Sequence, residues 1–381
     1  MKVMFHPLHL KRLVISLIVF VGGLTSLFIS GGSLAGAANL VVNPSNDSDL
    51  AAVKQKVVHA LEARWQLMID PQVNVKRFYD PSVSEQEESR ERAYVRRHYL
   101  EPAYRAGFRY SNVEVHPVFE SVEINGKMAK VRALVSVEYE SVFPGSNESV
   151  ITKEANIPYS ATLIKRDGDW LIVGMNYQDT YSKRGQENVR KVGASGSETP
   201  PISIAGGDVV IQGFYTYYSR QGAVNYANRW WNGRNPKYRS FSNDCANFVS
   251  QSFYEGGSAR QAWAEPYVWW YNTKGTSGTG DDAWTYSWSV AHDQAYHLSR
   301  NNETDEHRGT YVSRATDLQL GDSIYYDFDG DGILDHSAIV VEIRNGQPYV
   351  NYHTNDTYHR YWDLGAKTTR FLHVTDYYWV N

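Results

Sequence analysis

The chain contains a single cysteine, Cys245, within Asn243-Asp244-Cys245-Ala246-Asn247-Phe248-Val249-Ser250-Gln251-Ser252-Phe253. Phe248, Val249, Ser252 and Phe253 share a helical face and Gly256-Gly257 stops the run, so the spacing predicts a thiol in the first turn of a helix with Asp244 as its N-cap. The thiolate is the reactive form of cysteine. A helix N-terminus beside an imidazolium lowers a thiol pKa from about 8.5 to between roughly 3.5 and 7.5, and the backbone N–H groups there can receive a developing oxyanion. A solitary thiol is ordinarily an inert buried group; placement at a helix start between Asp244 and Asn247 favours a nucleophile.

A cysteine nucleophile needs a base. His336 opens Ser337-Ala338-Ile339-Val340-Val341, which reads as a buried strand, and Asn345-Gly346 is a type I′ hairpin signal leading to the next strand, Gln347 to Asn355. If Asn345-Gly346 is the turn centre, Ala338 faces His353 and His336 faces Asn355. His353 and Asn355 then share the face of His336, where either can orient its imidazole. Cys245, His336 and His353, with Asn355 as the alternative third member, make an acyl-transfer triad. The other reading of His353 is a core or surface histidine.

Before His336 stands Asp327-Phe328-Asp329-Gly330-Asp331-Gly332. Asp327, Asp329 and Asp331 reproduce the first half of a calcium loop, with the Ile333 carbonyl and Asp335 as further oxygen ligands. Ala338 stands where a full loop places its bidentate Glu, so a site here is incomplete or borrows a ligand. The alternative is a hydrated turn. The proposed chemistry requires no cofactor, and a structural calcium is the one metal the sequence suggests.

These residues fall in the second half of a 381-residue chain with 42% hydrophobic and 21% charged residues, enough for two globular domains. Lys2, Lys11 and Arg12, the apolar stretch Leu13 to Ile29 and the small residues Ala35-Gly36-Ala37 predict a signal peptide over 1–37. An uncleaved membrane anchor is the alternative. Removing 1–37 leaves 35 basic against 42 acidic residues, a charge of -7. With no long basic block, nucleic acid is excluded as an expected partner. No Cys/His cluster has zinc-ligand spacing.

Residues 38–181 read as an accessory α+β domain. Leu50, Val53, Val57, Leu61 and Met68 recur at helical spacing, with Ser48 or Asp47 as cap. A charged helix follows over about Ser84 to Arg105, with Glu85, Glu87, Glu88, Arg90, Glu91 and Arg92 expected on a solvated face. Strands follow around Val113–Phe119, Ala129–Tyr139, Ile157–Lys165 and Trp170–Tyr177, with hairpin turns at Asn125-Gly126 and Asp167-Gly168. Element order alone suggests a nuclear-transport-factor-like cone. Residues 182–209, with Gly193-Ala194-Ser195-Gly196-Ser197 and Pro200-Pro201, form a linker. Residues 210–381 form the second α+β domain, where Ala223, Val224, Ala227, Trp230 and Trp231 mark a helix.

Asn243-Asp244-Cys245-Ala246-Asn247-Phe248-Val249-Ser250-Gln251, Trp230-Trp231-Asn232, Asn235-Pro236, Gly321-Asp322, Asp327 to Gly332, Asp335-His336 and Tyr352-His353-Thr354 resemble the putative amidase domain family. That family is similar to the papain-like cell-wall hydrolases of the CHAP and NlpC type. The resemblance runs from about Val210 to the C-terminus. It implies a papain-like α+β domain with an antiparallel sheet, and Cys245, His336 and His353 as nucleophile, base and orienter. It also implies amide bonds of peptidoglycan stems, or the stem-to-sugar amide, as substrate. Ala246 departs from the family's usual Thr and Ser252 from a frequent second Cys. The expected protein is therefore a secreted or wall-associated cysteine amidase, retained at the membrane only if the signal segment is uncleaved. A general peptidase shares the triad. The competing class is a non-catalytic wall-binding module, calcium-dependent in one form, with Trp263, Trp269, Trp270, Trp284 and Trp288 lining a groove.

Overall fold

In this computed structural model the described residues are 47–145, 148–181, 214–259, 261, 269–276, 278–299 and 308–380. The expected signal segment 1–37 and linker 182–209 lie outside them, as does Trp263. Pro44–Asn381 forms one compact unit.

The first half opens with α1 (Asp47–Gln66), which buries Val53, Val57, Ala60 and Leu61 along one stripe, as the spacing predicts. Leu61 is 1% exposed, so Leu61→Ala would leave a cavity costing about 3 kcal/mol. The charged segment is α2 (Ser84–Val95), a wide π-turn over Arg96–Leu100 and α3 (Glu101–Ala106). The solvated face expected of α2 is only partly solvated. Glu87 and Glu91, four apart, turn inward, and Glu91 pairs with buried Arg64 of α1, whose guanidinium lies over the rings of Tyr94 and Tyr177. Burial raises the Glu91 pKa, against the pull of Arg64.

Four antiparallel strands follow: β1 (Arg109–Asn125), β2 (Met128–Val142), β3 (Ser149–Arg166) and β4 (Asp169–Tyr177). Along β2, buried Ala129, Val131, Ala133, Val135 and Val137 alternate with outward Lys130 and Arg132, the period of a sheet packed on one face. Both expected turns form, with left-handed Gly126 and Asp167-Gly168.

The second half runs β5 (Phe214–Tyr217), α4 (Arg220–Trp230), α5 (Cys245–Gln251), β6 (Tyr271–Asn272), β7 (Ala283–Trp284), α6 (Tyr286–Ser289) and α7 (Ala291–Leu298). It continues with β8 (Gly309–Val312), β9 (Ser323–Asp327), β10 (His336–Arg344), β11 (Gln347–Tyr352), β12 (Asp356–Tyr361), β13 (Thr368–Val374) and β14 (Tyr377–Val380). Helix and antiparallel sheet together give the α+β class expected. One face of the β9–β10 region carries Tyr325, Ile339 and Val341 against the core containing Cys245, Phe248 and Val249. The other carries Ile324, Tyr326, Ala338 and Val340 with Val350 and Tyr352.

The two halves share one sheet, in the order β1-β2-β3-β12-β11-β10-β9-β13-β8. β3 is long enough to serve two partners: Lys153–Ala155 pair with β12, and Tyr159–Arg166 pair with β4. Behind this seam Arg360 is 3% exposed, pairs with Glu154, and donates to Tyr139 Oη (2.7 Å) and the His98 carbonyl (2.7 Å). The π-turn aims Arg97 across the seam, where it donates to the Phe328 carbonyl (2.8 Å) and the Gly365 carbonyl (3.1 Å).

Candidate active site

Cys245 is the first residue of α5 and is 5% exposed. The turn that carries it is fixed from several sides. Asn247 Nδ2 donates to the Arg239 carbonyl and to Asp244 Oδ1 (2.9 Å each), while its Oδ1 accepts from Trp288 Nε1 (2.8 Å). Gln294 of α7 donates to the Ala246 carbonyl (2.8 Å) and Ser250 Oγ (2.6 Å), and accepts from the Tyr325 hydroxyl (3.2 Å). Strand β9 and helices α5 and α7 are thereby tied together beside the thiol.

Asp244 precedes the helix, but its side chain makes no cap hydrogen bond, contrary to expectation. Its carboxylate is committed elsewhere. Oδ1 accepts from the Phe241 backbone N–H (3.0 Å), and Oδ2 meets His353 Nδ1 at 2.7 Å and lies 3.2 Å from Arg234 Nε. His353 Nε2 meets the Trp230 carbonyl at 2.8 Å, and its ring stacks on Phe248 at 3.9 Å. Both ring partners, a carboxylate and a carbonyl, are acceptors. His353 is thereby fixed beside the residue preceding Cys245.

The hairpin begins in the expected register, with Arg344 opposite Gln347, Ile343 opposite Pro348 and Glu342 opposite Tyr349. Val341 is then an extra residue on β10, a bulge after which Val340 faces Val350 and Ile339 faces Asn351. One residue of slip exchanges the faces. Tyr352, not His353, therefore shares the side of His336, and the two rings meet edge to face at 4.6 Å. His336 also neighbours Tyr326 and Phe328, on the face away from α5. The structure brings His353 to the thiol-bearing turn and leaves His336 across the sheet, so His353 does not orient His336. Asn355 is spent at the seam, where it accepts from the Thr180 N–H (2.9 Å) and donates to Glu154 (3.3 Å).

The acidic turn gathers three of its four expected carboxylates. Asp327, Asp329 and Asp335 offer ligand atoms within 4.8 Å of one another, while Asp331 accepts from the Ile333 N–H (2.8 Å). Burial, with the neighbouring Asp329, Asp327 and Asp331 charges, pushes Asp335 up to about 6 against the opposing Phe328 N–H bond. The oxygen set suits a hard cation such as calcium.

Of the five tryptophans expected to line a groove, Trp270 is half-buried, Trp263 lies outside the described residues, and the other three belong to the core. Trp269, Trp284 and Trp288 are buried, Trp269 stacks on Trp288 at 5.0 Å, and Trp269 Nε1 donates to Ser250 Oγ (2.8 Å). Sequence reasoning missed Arg234, Gln294 and Tyr325. Arg234 stands in an irregular loop, and Gln294 and Tyr325 read only as helix and strand residues.

Residues 217–374 match the family described as Putative amidase domain. Two Bacillus subtilis (strain 168) proteins are similar to the chain. YhbB, an uncharacterized protein, is 38% identical over 42% of this chain and 51% of its own length. YjcM, also uncharacterized, is 27% identical over 36% of this chain and 31% of its own. The chain thus spans about half or less of the curated relatives it matches. Among solved structures, the intermembrane-space region of the chloroplast protein ARC6 is 14% identical, covering 35% of this chain and 98% of that one, with a TM-score of 0.24. A conserved protein from Planctomyces limnophilus is 15% identical over 34% and 94%, with a TM-score of 0.25.

Proposed function

We propose that the chain is an exported cysteine hydrolase that cleaves amide bonds, with Cys245 as nucleophile and peptidoglycan stems as substrate. The observation that carries the reading is the placement of Cys245 at the start of α5, inside the segment that matches the amidase-domain family. In this mechanism the thiolate attacks the amide carbonyl carbon, a C–S bond forms, and the C–N bond breaks as the amine leaves with a proton. Water then cleaves the thioester, giving the carboxylic acid and the thiol. The papain-like relationship, export and wall substrate belong to this proposal.

The reaction also needs a proton carrier on the α5 side of the sheet. His353 has both nitrogens committed, so in this reading it holds the Asp244 turn in place. Participation of His336 requires the residues before Ile339 to turn over and carry its ring to the thiol. A calcium ion at Asp327, Asp329 and Asp335 would hold that segment's approach without entering the chemistry.

The test compares the wild type with Cys245→Ala and His336→Ala for amide cleavage in peptidoglycan fragments and, where the thiol remains, for the pH dependence of iodoacetamide alkylation. Alkylation is expected to be rapid below about pH 7, with cleavage abolished in Cys245→Ala. Cleavage that persists in Cys245→Ala would overturn the nucleophile. A profile unchanged by His336→Ala would remove His336 from the mechanism.

A further inference from the structure

We propose that the first half of the chain sets the acidity of Cys245 through a relay of four side chains, Asn156, Asp356, Arg234 and Asp244. Its significance for catalysis rests on the reading of Cys245 above; its geometry does not. Asn156 Nδ2 donates to Asp356 Oδ2 at 3.0 Å, and Arg234 Nη2 donates to Asp356 Oδ1 at 2.7 Å. Arg234 Nε lies 3.2 Å from Asp244 Oδ2, and Asp244 is bonded to Cys245 through the main chain. Asn156 belongs to β3 and the other three to the second half, so the relay crosses the seam.

Asn156 is placed by a local irregularity. The β2–β3 register slips between Val135 opposite Ile157 and Val137 opposite Glu154, and Asn156 stands in that bulge with a left-handed φ of 58°. Asn tolerates this conformation better than most residues. A bulge re-aims a side chain, and this one directs Asn156 to Asp356 as β3 changes partner from β12 to β4.

The charges around the turn are shared. Asp244 and Asp356 are 1% and 5% exposed, Arg234 is divided between them, and His353 Nδ1 meets Asp244 Oδ2 at 2.7 Å. Any change at the Asp356 end alters how far Arg234 offsets Asp244, one residue from the thiol. A net positive environment favours the thiolate and a net negative one disfavours it.

The elements packed around α5 also carry titratable groups: Tyr325 of β9, Tyr286 of α6, His292, Asp293 and His297 of α7, Tyr226 of α4, Tyr254 and Glu255 in the turn following α5, and Tyr218, Tyr238, Arg239 and Tyr271 from the surrounding segments. β10 turns Ser337, Ile339 and Val341 toward α5, none of them charged. The variants below leave all of these groups in place. Asn156, Asp356 and Arg234 act through Asp244 and are positioning residues.

The test is the pH midpoint of iodoacetamide alkylation of Cys245 in the reduced full-length chain, with thermal melting to establish folding. Asp356→Asn frees Arg234 for Asp244 and should lower the midpoint by about one pH unit. Arg234→Gln should raise it by about as much, and Asn156→Asp, a charge added in the first half, by about half a unit. A purely structural role would not give opposite signs. Midpoints that stay unchanged, or that move the same way in Asp356→Asn and Arg234→Gln, overturn the proposal. If Asp356→Asn fails to fold, the other two decide, and either one failing to raise the midpoint is fatal. Alkylation needs no substrate, so coupled midpoints without amide cleavage would keep the relay and sink the hydrolase, and the converse result would do the reverse.

Discussion

His353 and Asp244 meet at 2.7 Å, joining the end of β11 to the residue that immediately precedes Cys245. Both side chains are buried, and the second nitrogen of the ring reaches the Trp230 carbonyl at the end of α4. One imidazole thus fixes three segments around the thiol.

Truncating it should be costly. His353→Ala leaves Asp244 with Arg234 as its ion-pair partner among the described residues and removes the ring stacked on Phe248. Leaving a buried carboxylate short of a hydrogen-bond partner costs about 3 kcal/mol. Urea unfolding should show a loss of that order in wild-type against variant. A loss below about 1 kcal/mol, typical of a surface pair, would mean that the pair is solvated in solution.

Much of this architecture is legible in the sequence because it is local. Val53, Val57 and Leu61 repeat at helical spacing, Ala129 to Val137 alternate, and Asn345-Gly346 marks its hairpin. The faces of the site are not legible in the same way. A turn fixes register only as far as the first extra residue, and in Ile339-Val340-Val341 three apolar side chains give no sign of which one bulges. The inward turn of Glu91 likewise depends on Arg64, a partner on another helix. The relay residue Arg234 is invisible to periodicity because its loop has none.

The seam between the halves makes a second prediction. Arg360→Met leaves Glu154 buried with hydroxyl and amide donors but no cation, and should destabilise by about 3 kcal/mol. Replacing both charges, Glu154→Leu with Arg360→Met, should cost less than either single change, which a double-mutant cycle of unfolding free energies would measure. A chain of residues 210–381 alone would expose the β12 edge that β3 covers, and should aggregate on size-exclusion chromatography. A monodisperse, folded fragment would show that the shared sheet is dispensable.

Acid should loosen the same seam at a defined point. His98 stacks on Tyr181 at 4.0 Å, and its Nδ1–H donates to the Leu364 carbonyl at 2.8 Å. Burial pushes its pKa down to about 4, from an ordinary value near 6.5. The folded state therefore holds the neutral ring, and its stability contribution is complete above about 6.5 and is lost as pH falls toward 4. Urea midpoints measured across that range should fall in the wild type and fall less in His98→Phe. Parallel slopes would assign the acid sensitivity to other groups.

Asp335 behaves in the opposite sense, and this gives the calcium proposal a pH signature. Its pKa is raised to about 6, above the ordinary 3.8, because the ionised form is partly buried among Asp329, Asp327 and Asp331. The folded state is favoured while the group is protonated, so this contribution is present below 3.8 and is lost as pH rises through about 6. A divalent cation between Asp327, Asp329 and Asp335 would remove the repulsion where it is strongest. Excess calcium should therefore raise the melting temperature more at about pH 7.5 than at about pH 5, relative to chelator. Asp335→Asn keeps an acceptor for the Phe328 N–H and removes one charge, so it should stabilise the calcium-free protein at about pH 7.5 while weakening the response to calcium. Equal melting temperatures with calcium and chelator at both pH values would leave the loop as a turn held by its own hydrogen bonds, chiefly those from the Gly330 and Gly332 N–H groups to Asp327.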